Sequence, residues 1–480
     1  MMASLLATAA VARCGLVGPE LDPGGGHRWS AGVLVDVGES QHKVFMVPLH
    51  GSDRVLCFDP VRGTAEPVGP SFSGPDKWRG AVLGPDNMVY GVPWSSSRFL
   101  GVDPLRPERS GLVGPDLGGG GGGGGDGGGG GAANFEFKWS GGVLASDGVI
   151  YCAPFNSPRV LAFDPIARAA ELVGPAFPAG GGKWSGAVLG PDGRTVFCVP
   201  YNSDRVLAFD TAARSAELLG GGRGGGGGGD GVAELGAGSS TTATPQPTTT
   251  STTSSTAAAT TMTSPLEGRY KYMGGVLARD GLVYCLPFRA KRALAIDTAR
   301  RSVALVGPSL PEGLPEAFEI RRRCGGEGKF GCPALGADGR VYGVPFDSEV
   351  AVAFCPEGRI YRALLPLSSG VTTAPAPGAA AVATRAAPAP AAAATSMTAV
   401  KVEPPPPPFT TGAARGDETS KDETLPVEVE EAEEAPLILR GRGKWSGGVA
   451  SADGTTIYGV PCSGSHVLAI FPPLTASGTL

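Results

Sequence analysis

The string KWSGGVLASDGVIYCAPFN at residues 138–156 returns as KWSGAVLGPDGRTVFCVPYN at 183–202 and as KWSGGVASADGTTIYGVP at 444–461. A repeat of this kind constrains the fold more than any other feature of the chain, because a short unit with an apolar face must bury that face against its neighbours. Seven copies are present, anchored on Trp29, Trp78, Trp139, Trp184, Tyr272, Phe330 and Trp445. Five of the six tryptophans occupy this one repeat position, and the sixth, Trp94, lies elsewhere.

Each copy reads as four strands. WSGGVLA runs into an Asp-Gly pair (147/148, 192/193, 280/281, 338/339, 453/454), a hairpin signal that predicts a tight turn with both residues at positive φ. A second strand such as VIYCAP follows, then a polar loop (FNSPR, YNSDR), a third strand (VLAFD) and a fourth (AAELVGP) ending in Gly-Pro, where a missing N–H is tolerated. Anchors Trp139 and Trp184 are 45 residues apart, the length of a four-stranded propeller blade. The last copy stops at its third strand, HVLAIFPP, while the chain opens with TAAVARCGLVGP, which matches a fourth strand. The expected fold is all-β: a seven-bladed β-propeller closed by the N-terminal strand, residues 8 to 19, completing the last blade and leaving no open sheet edge. We delimit residues 1–28 as the closing segment and 29–70, 78–115, 139–175, 184–220, 272–308, 330–367 and 445–480 as blades. Low-complexity insertions, expected to be disordered, lie between blades at 116–137, 221–268, 309–328 and 368–443.

The 78 glycines and 44 prolines show that much of the chain is not packed, so the core is smaller than 480 residues suggests. No stretch approaches the ~20 apolar residues of a membrane span, and the chain reads as soluble with no membrane partner. The N-terminus has a short apolar stretch but no basic residue before it, nine cysteines show no paired spacing, and no asparagine begins a glycosylation sequon. An intracellular, cytoplasmic compartment and a monomeric state are expected.

The string GGVLASDGVIYCAPFNSPRVLAFDP resembles the NHL and YVTN repeats of β-propellers, an architecture shared with Kelch-like proteins. The shared features are the glycines, the Asp-Gly turn, the Ile-Tyr strand, the Asn/Ser-x-Arg-Val loop and a strand ending in Asp, and they recur through the copies. The resemblance implies the fold and leaves activity open, since propellers host binding modules, lactonases, lyases and oxidases. Where NHL repeats often carry an acidic residue after the second strand, this chain has Pro48, Pro93, Pro154, Pro200, Pro287, Pro345 and Pro461. Acidic catalytic or metal positions of gluconolactonase-like enzymes therefore do not carry over.

A cation precedes every anchor: Arg28, Lys77, Lys138, Lys183, Lys271, Lys329 and Lys444. As first strands line the channel, the fourteen cation and aromatic positions are candidate binding residues, an electropositive, aromatic funnel for an anionic ligand on the face that carries the long insertions. The alternative is that the aromatics wedge between blades and the cations pair with loop acids such as Asp53, Asp204, Asp347 or Glu349. Residues 417–434 hold nine acids and one lysine, and this run is expected either to fold over the cationic ring or to be a solvated tether.

Catalytic patterns are sparse. Histidines 27, 42, 50 and 466 fall at unrelated repeat positions, and the channel strands supply Ser30, Ser140, Ser185 and Ser446 without acids. Cys152, Cys198 and Cys285 share a position filled elsewhere by Met46, Gly91, Gly343 and Gly459, which reads as core filler and not as a ligand set. Cys324 and Cys332 beside Arg321, Arg322 and Arg323 read as surface-loop thiols. No catalytic residue, metal or cofactor is assigned, and a nucleic-acid partner is not expected from a net charge of −5. The sequence points to a non-enzymatic binding scaffold that recognises an anionic ligand or a protein on its loop-rich face; the alternative is a propeller hydrolase or lyase acting on a carbonyl or lactone at the channel.

Overall fold

A computed structural model of the chain describes residues 12–21, 26–118, 136–220, 266–310, 328–364, 439 and 441–473. These residues form seven four-stranded antiparallel sheets in a ring, with one 3₁₀ turn, Pro107–Arg109, as the helical element among them. Blade 3 is representative, with strands Trp139–Leu144, Ile150–Pro154, Val160–Asp164 and Ala169–Val173 hydrogen-bonded in chain order. Blades 1, 2, 4, 5 and 6 repeat that order, beginning at Trp29, Trp78, Trp184, Val276 and Ala334. Among the described residues no helix is long and apolar enough to cross a membrane. The insertions lie largely outside the described residues, as do the acidic run 417–434, Cys324 and Arg321, Arg322 and Arg323.

Blade 7 is shared between the two ends of the chain. Its strands Trp445–Ala450, Ile457–Pro461 and Val467–Phe471 are completed by Arg13–Val17, in the register Arg13↔Phe471 to Val17↔Val467. The expected closure is therefore present, and Cys14, buried completely, fastens the strand into the seam between blades 6 and 7.

The apolar core is divided into seven clusters, one per seam between adjacent blades. The cluster holding Trp139, for example, combines Val82, Tyr90 and Val92 of blade 2 with Ile150, Leu161 and Phe163 of blade 3. Alternation along each strand supplies one set of side chains to the preceding seam and one to the following seam, which is why second and third strands are apolar throughout.

The hairpin turns differ from the expected two-residue type. In the Asp147-Gly148 pair of blade 3 only the glycine has positive φ (80°), and the Gly148 and Ala145 N–H groups donate to Ala145 and Val149 oxygens at 3.0 Å. This is a type I turn followed by a left-handed glycine, a three-residue loop. Asp147 selects it: Oδ1 accepts the Val149 N–H at 3.0 Å and Oδ2 accepts the Tyr151 hydroxyl at 2.8 Å. The same Asp–Tyr pair recurs at 86/90, 280/284 and 338/342.

First strands bulge just after the anchor. Trp139 pairs with Pro154, but pairing resumes only at Gly142 with Cys152. The bulge lets neighbouring backbones touch: a Cβ on Gly141, at φ 79°, would lie 2.9 Å from the Gly186 Cα.

Deleting residues 1–17 removes the buried Ala12, Cys14 and Val17 and uncovers the edge of Val467–Phe471. The expected cost is several kcal/mol, at about 1.5–3 kcal/mol per large buried apolar side chain, with self-association through the bare edge. Thermal unfolding and size-exclusion chromatography check both outcomes.

Candidate functional site at the channel mouth

The face that carries the long insertions is organised by backbone hydrogen bonds. In each blade the residue after the second-strand proline (Leu49, Trp94, Phe155, Tyr201, Phe288, Phe346 or Cys462) donates its N–H to the carbonyl of that blade's cation residue, at 2.7–3.0 Å. Its carbonyl then accepts the N–H of the next blade's cation residue, at 2.8–3.1 Å. The last link, Arg28 N–H to Cys462 O at 2.8 Å, closes a circuit of fourteen bonds through all seven blades.

The candidate residues read from the sequence form this frame. Trp29, Trp78, Trp139, Trp184, Tyr272, Phe330 and Trp445 are 0–4 % exposed, each in the seam with the preceding blade. Five indoles and the Tyr272 hydroxyl donate to the carbonyl just ahead of the third strand, as in Trp139 Nε1 to Arg159 O at 3.1 Å. The cations turn to carbonyls as well. Lys77, Lys183, Lys271 and Lys444 reach back three residues to Gly74, Gly180, Gly268 and Gly441, at 2.6–3.2 Å. Lys138 and Lys329 reach the preceding blade at Ser96 and Ala290, 3.0 and 3.1 Å away, and Arg28 donates to Gly464.

None of Lys77, Lys138, Lys183, Lys271 and Lys444 has a carboxylate at ion-pair distance among the described residues. Carbonyls thus take the place expected for loop acids. Loss of water around the ammonium groups brings Lys138, Lys183, Lys271 and Lys444 down to about 8 and lowers Lys77.

Above this frame lies a layer that the repeat pattern did not single out. Rings at the post-proline position form an arc from blade 2 to blade 6: Trp94–Phe155 at 4.6 Å, Phe155–Tyr201 at 5.4 Å, Tyr201–Phe288 at 6.2 Å and Phe288–Phe346 at 5.3 Å. Phe137 and Tyr270 add further rings against Trp94 and Tyr201, and His27 meets Phe346 edge-on at 5.8 Å. Phe155, Tyr201 and Phe346 remain half-buried.

Arg79 stands in this layer. It occupies the bulge position that holds Ser30, Ser140, Ser185, Met273, Gly331 and Ser446 in the other blades. Its guanidinium lies 4.7 Å from the Trp94 ring centroid and makes no hydrogen bond or ion pair among the described residues. Its charge acts on His27, Tyr201 and Cys462, which belong to blades 1, 4 and 7. A side chain of blade 2 whose charge reaches blades 4 and 7 points toward the ring axis.

The remaining sector is polar. His27 precedes the cation of blade 1 and His50 follows its post-proline residue, so the circuit brings together two histidines that share no repeat position; the His50 N–H donates to His27 O at 2.9 Å. His50 Nδ1 is 3.4 Å from Asp76 Oδ2. Desolvation, aided by the Arg79 charge, holds His27 below the ordinary imidazole range. Asp347 accepts the Gly328 and Gly443 N–H groups at 2.9 and 2.8 Å. Among the described residues no cluster of three or more His, Cys, Asp or Glu is arranged to hold a metal ion. The repeat-position cysteines 152, 198 and 285 are buried in seams, with burial pushing their thiols upward. The Ser140 and Ser185 hydroxyls meet at 3.0 Å, and Ser30 donates to Trp78 O at 2.9 Å, so these serines bind adjacent first strands to one another.

No protein-family model and no curated protein sequence matches the chain. Solved structures do. Virginiamycin B lyase from Staphylococcus aureus superposes with a TM-score of 0.51 at 9% identity, covering 96% of this chain and 99% of that one. A catalytically inactive variant of that enzyme with quinupristin gives 0.50 at 10% identity, with coverages of 96% and 99%. A streptogramin B lyase gives 0.51 at 9% identity, with coverages of 96% and 97%. The likeness is one of fold. These propellers and this chain share seven blades, and the side chains at the mouth have to be read on their own chemistry.

The buried lysines make a pH signature. With a folded value of about 8 for Lys138 and Lys183 against ~10.4 when free, the unfolded chain holds more protons between those limits, so each lysine's contribution to stability rises with pH through that window. Wild-type protein should therefore gain stability from pH 7 to 10 relative to a Lys138→Met/Lys183→Met variant, in which buried thiols and phenols titrate alike. Denaturant unfolding of both proteins across that range measures the slope.

Proposed function

We propose that the protein is a binding module that takes an anionic ligand at its channel mouth, on the face where the long insertions join the blades. The observation that carries this reading is the Arg79 guanidinium, stacked on Trp94 and without a hydrogen-bonding or ionic partner of its own among the described residues. A cation held by an aromatic face keeps its five N–H donors for a ligand. The two nearby acids are engaged, Asp76 beside His50 and Asp347 on two backbone N–H groups. In this reading Arg28, Lys77, Lys138, Lys183, Lys271, Lys329 and Lys444 contribute a positive field from beneath, and their seven aromatic partners hold the frame rigid. Rigidity favours binding because little ordering is required when the ligand arrives.

One observation favours the enzymatic alternative at the same mouth. His27, with a pKa lowered by burial and by the Arg79 charge, and the neighbouring His50–Asp76 pair are a combination suited to proton transfer on a carbonyl or lactone substrate. Turnover of a lactone panel that disappears in both His27→Ala and His50→Ala would favour this alternative.

The test of the binding reading is calorimetric titration with small organic carboxylates and phosphates. Arg79→Gln should weaken binding at least about tenfold, the size expected for a charged hydrogen bond, with an unchanged unfolding temperature. Equal affinity in the variant would dispose of it.

A further inference from the structure

We infer that the ligand is a planar aromatic or conjugated monocarboxylate, lying with its flat body on the aromatic arc and its carboxylate on Arg79; this rests on the anion-binding reading above. Charge count comes first. The five lysines of the cation ring with fully described partners spend their ammonium groups on backbone carbonyls. Arg79 is left as the guanidinium in this layer that is free of hydrogen bonds and ion pairs among the described residues. One planar fork matches the two oxygens of a carboxylate. A phosphate dianion carries more charge and three oxygens, and a single fork leaves much of both unmet.

The second observation is the asymmetry of the mouth. Blades 2 to 6 supply Trp94, Phe155, Tyr201, Phe288 and Phe346 at the post-proline position, whereas blades 7 and 1 supply Cys462 and Leu49. Consecutive rings are 4.6–6.2 Å apart, within the range in which aromatic faces and edges contact one another. Arg79 and Trp94 sit at one end of this arc, so charge and apolar surface are side by side and not opposed. A small hydrophilic anion would leave the half-buried Phe155, Tyr201 and Phe346 without a partner. A neutral aromatic would leave Arg79 without one.

The test uses 2-naphthoate, its methyl ester, acetate, 2-naphthyl phosphate and inorganic phosphate as probes of the full chain. Binding is followed by calorimetry, and tryptophan fluorescence is compared with a Trp94→Phe control. Naphthoate is expected to bind at least about tenfold more tightly than the ester and than acetate, and more tightly than naphthyl phosphate. Arg79→Gln should reduce naphthoate to the level of the ester. Arg79→Lys, which keeps the charge but not the fork, should recover only part of the difference. Tyr201→Ala should weaken naphthoate about three- to tenfold without affecting the ester-to-acid ratio. Tighter Arg79-dependent binding of either phosphate overturns the carboxylate assignment and leaves the anion-binding mouth standing. Equal Arg79-dependent affinity for acetate and naphthoate overturns the aromatic body alone. Binding independent of Arg79, or no binding by any probe, overturns both readings.

Discussion

The closed circuit of backbone hydrogen bonds at the mouth is the constraint on which the rest of the molecule depends. It commits the N–H and C=O groups of each cation residue to two different blades, so the loop entering every blade must be tethered by side chains. The lysine does this by reaching back to a carbonyl three residues upstream, and the tryptophan does it for the next loop by its indole N–H. A buried carbonyl without a donor costs about 1–3 kcal/mol. Several such positions on one face would be ruinous for a marginally stable ring. The recurrence of a cation followed by an aromatic anchor is thus accounted for largely by backbone satisfaction.

The same reasoning shows why the fold was legible in the sequence and the side-chain layer around Arg79 was not. Strand periodicity, the four-strand unit and the matching ends are local or pairwise features, and the structure reproduces them, including the pairing of Arg13–Val17 with Val467–Phe471. The Asp-Gly dipeptide was compatible with two turn types, and the partners the aspartate finds on the following strand, the Tyr151 hydroxyl in blade 3 and the Thr195 hydroxyl in blade 4, go with the one observed. The cations repeat visibly in the sequence, but their carbonyl partners come from loops of low sequence regularity and cannot be read from spacing. Arg79 and the arc from Trp94 to Phe346 lay in repeat columns that vary. A column reading Ser, Arg, Ser, Ser, Met, Gly, Ser and another reading Leu, Trp, Phe, Tyr, Phe, Phe, Cys hold the information that a search for identity passes over.

A frame with near sevenfold regularity thus supports a mouth without symmetry. Aromatic side chains occupy the post-proline position in five consecutive blades, while His50 and Asp76 meet between blades 1 and 2 and His27 faces Phe346. The glycines at the bulges bring neighbouring first strands to backbone contact, as between Gly141 and Gly186, and so hold these side chains at fixed separations. Similarity to the lyase propellers is one of fold and blade count; the mouth follows the residues of this chain.

The split blade sets an order of assembly. Arg13 and Phe471 are partners across almost the whole length of the sequence, and a pairing so distant in sequence carries a large loop-closure cost and a slow step. During synthesis the first strand leaves the ribosome long before its companion exists and must stay uncommitted while six blades form. His27 and Arg28 adjoin the seam that this last event creates, since Arg28 completes the circuit through Cys462. A half-made molecule consequently has blades but no finished mouth, and the binding site proposed above is complete only once Arg13–Val17 has met Val467–Phe471.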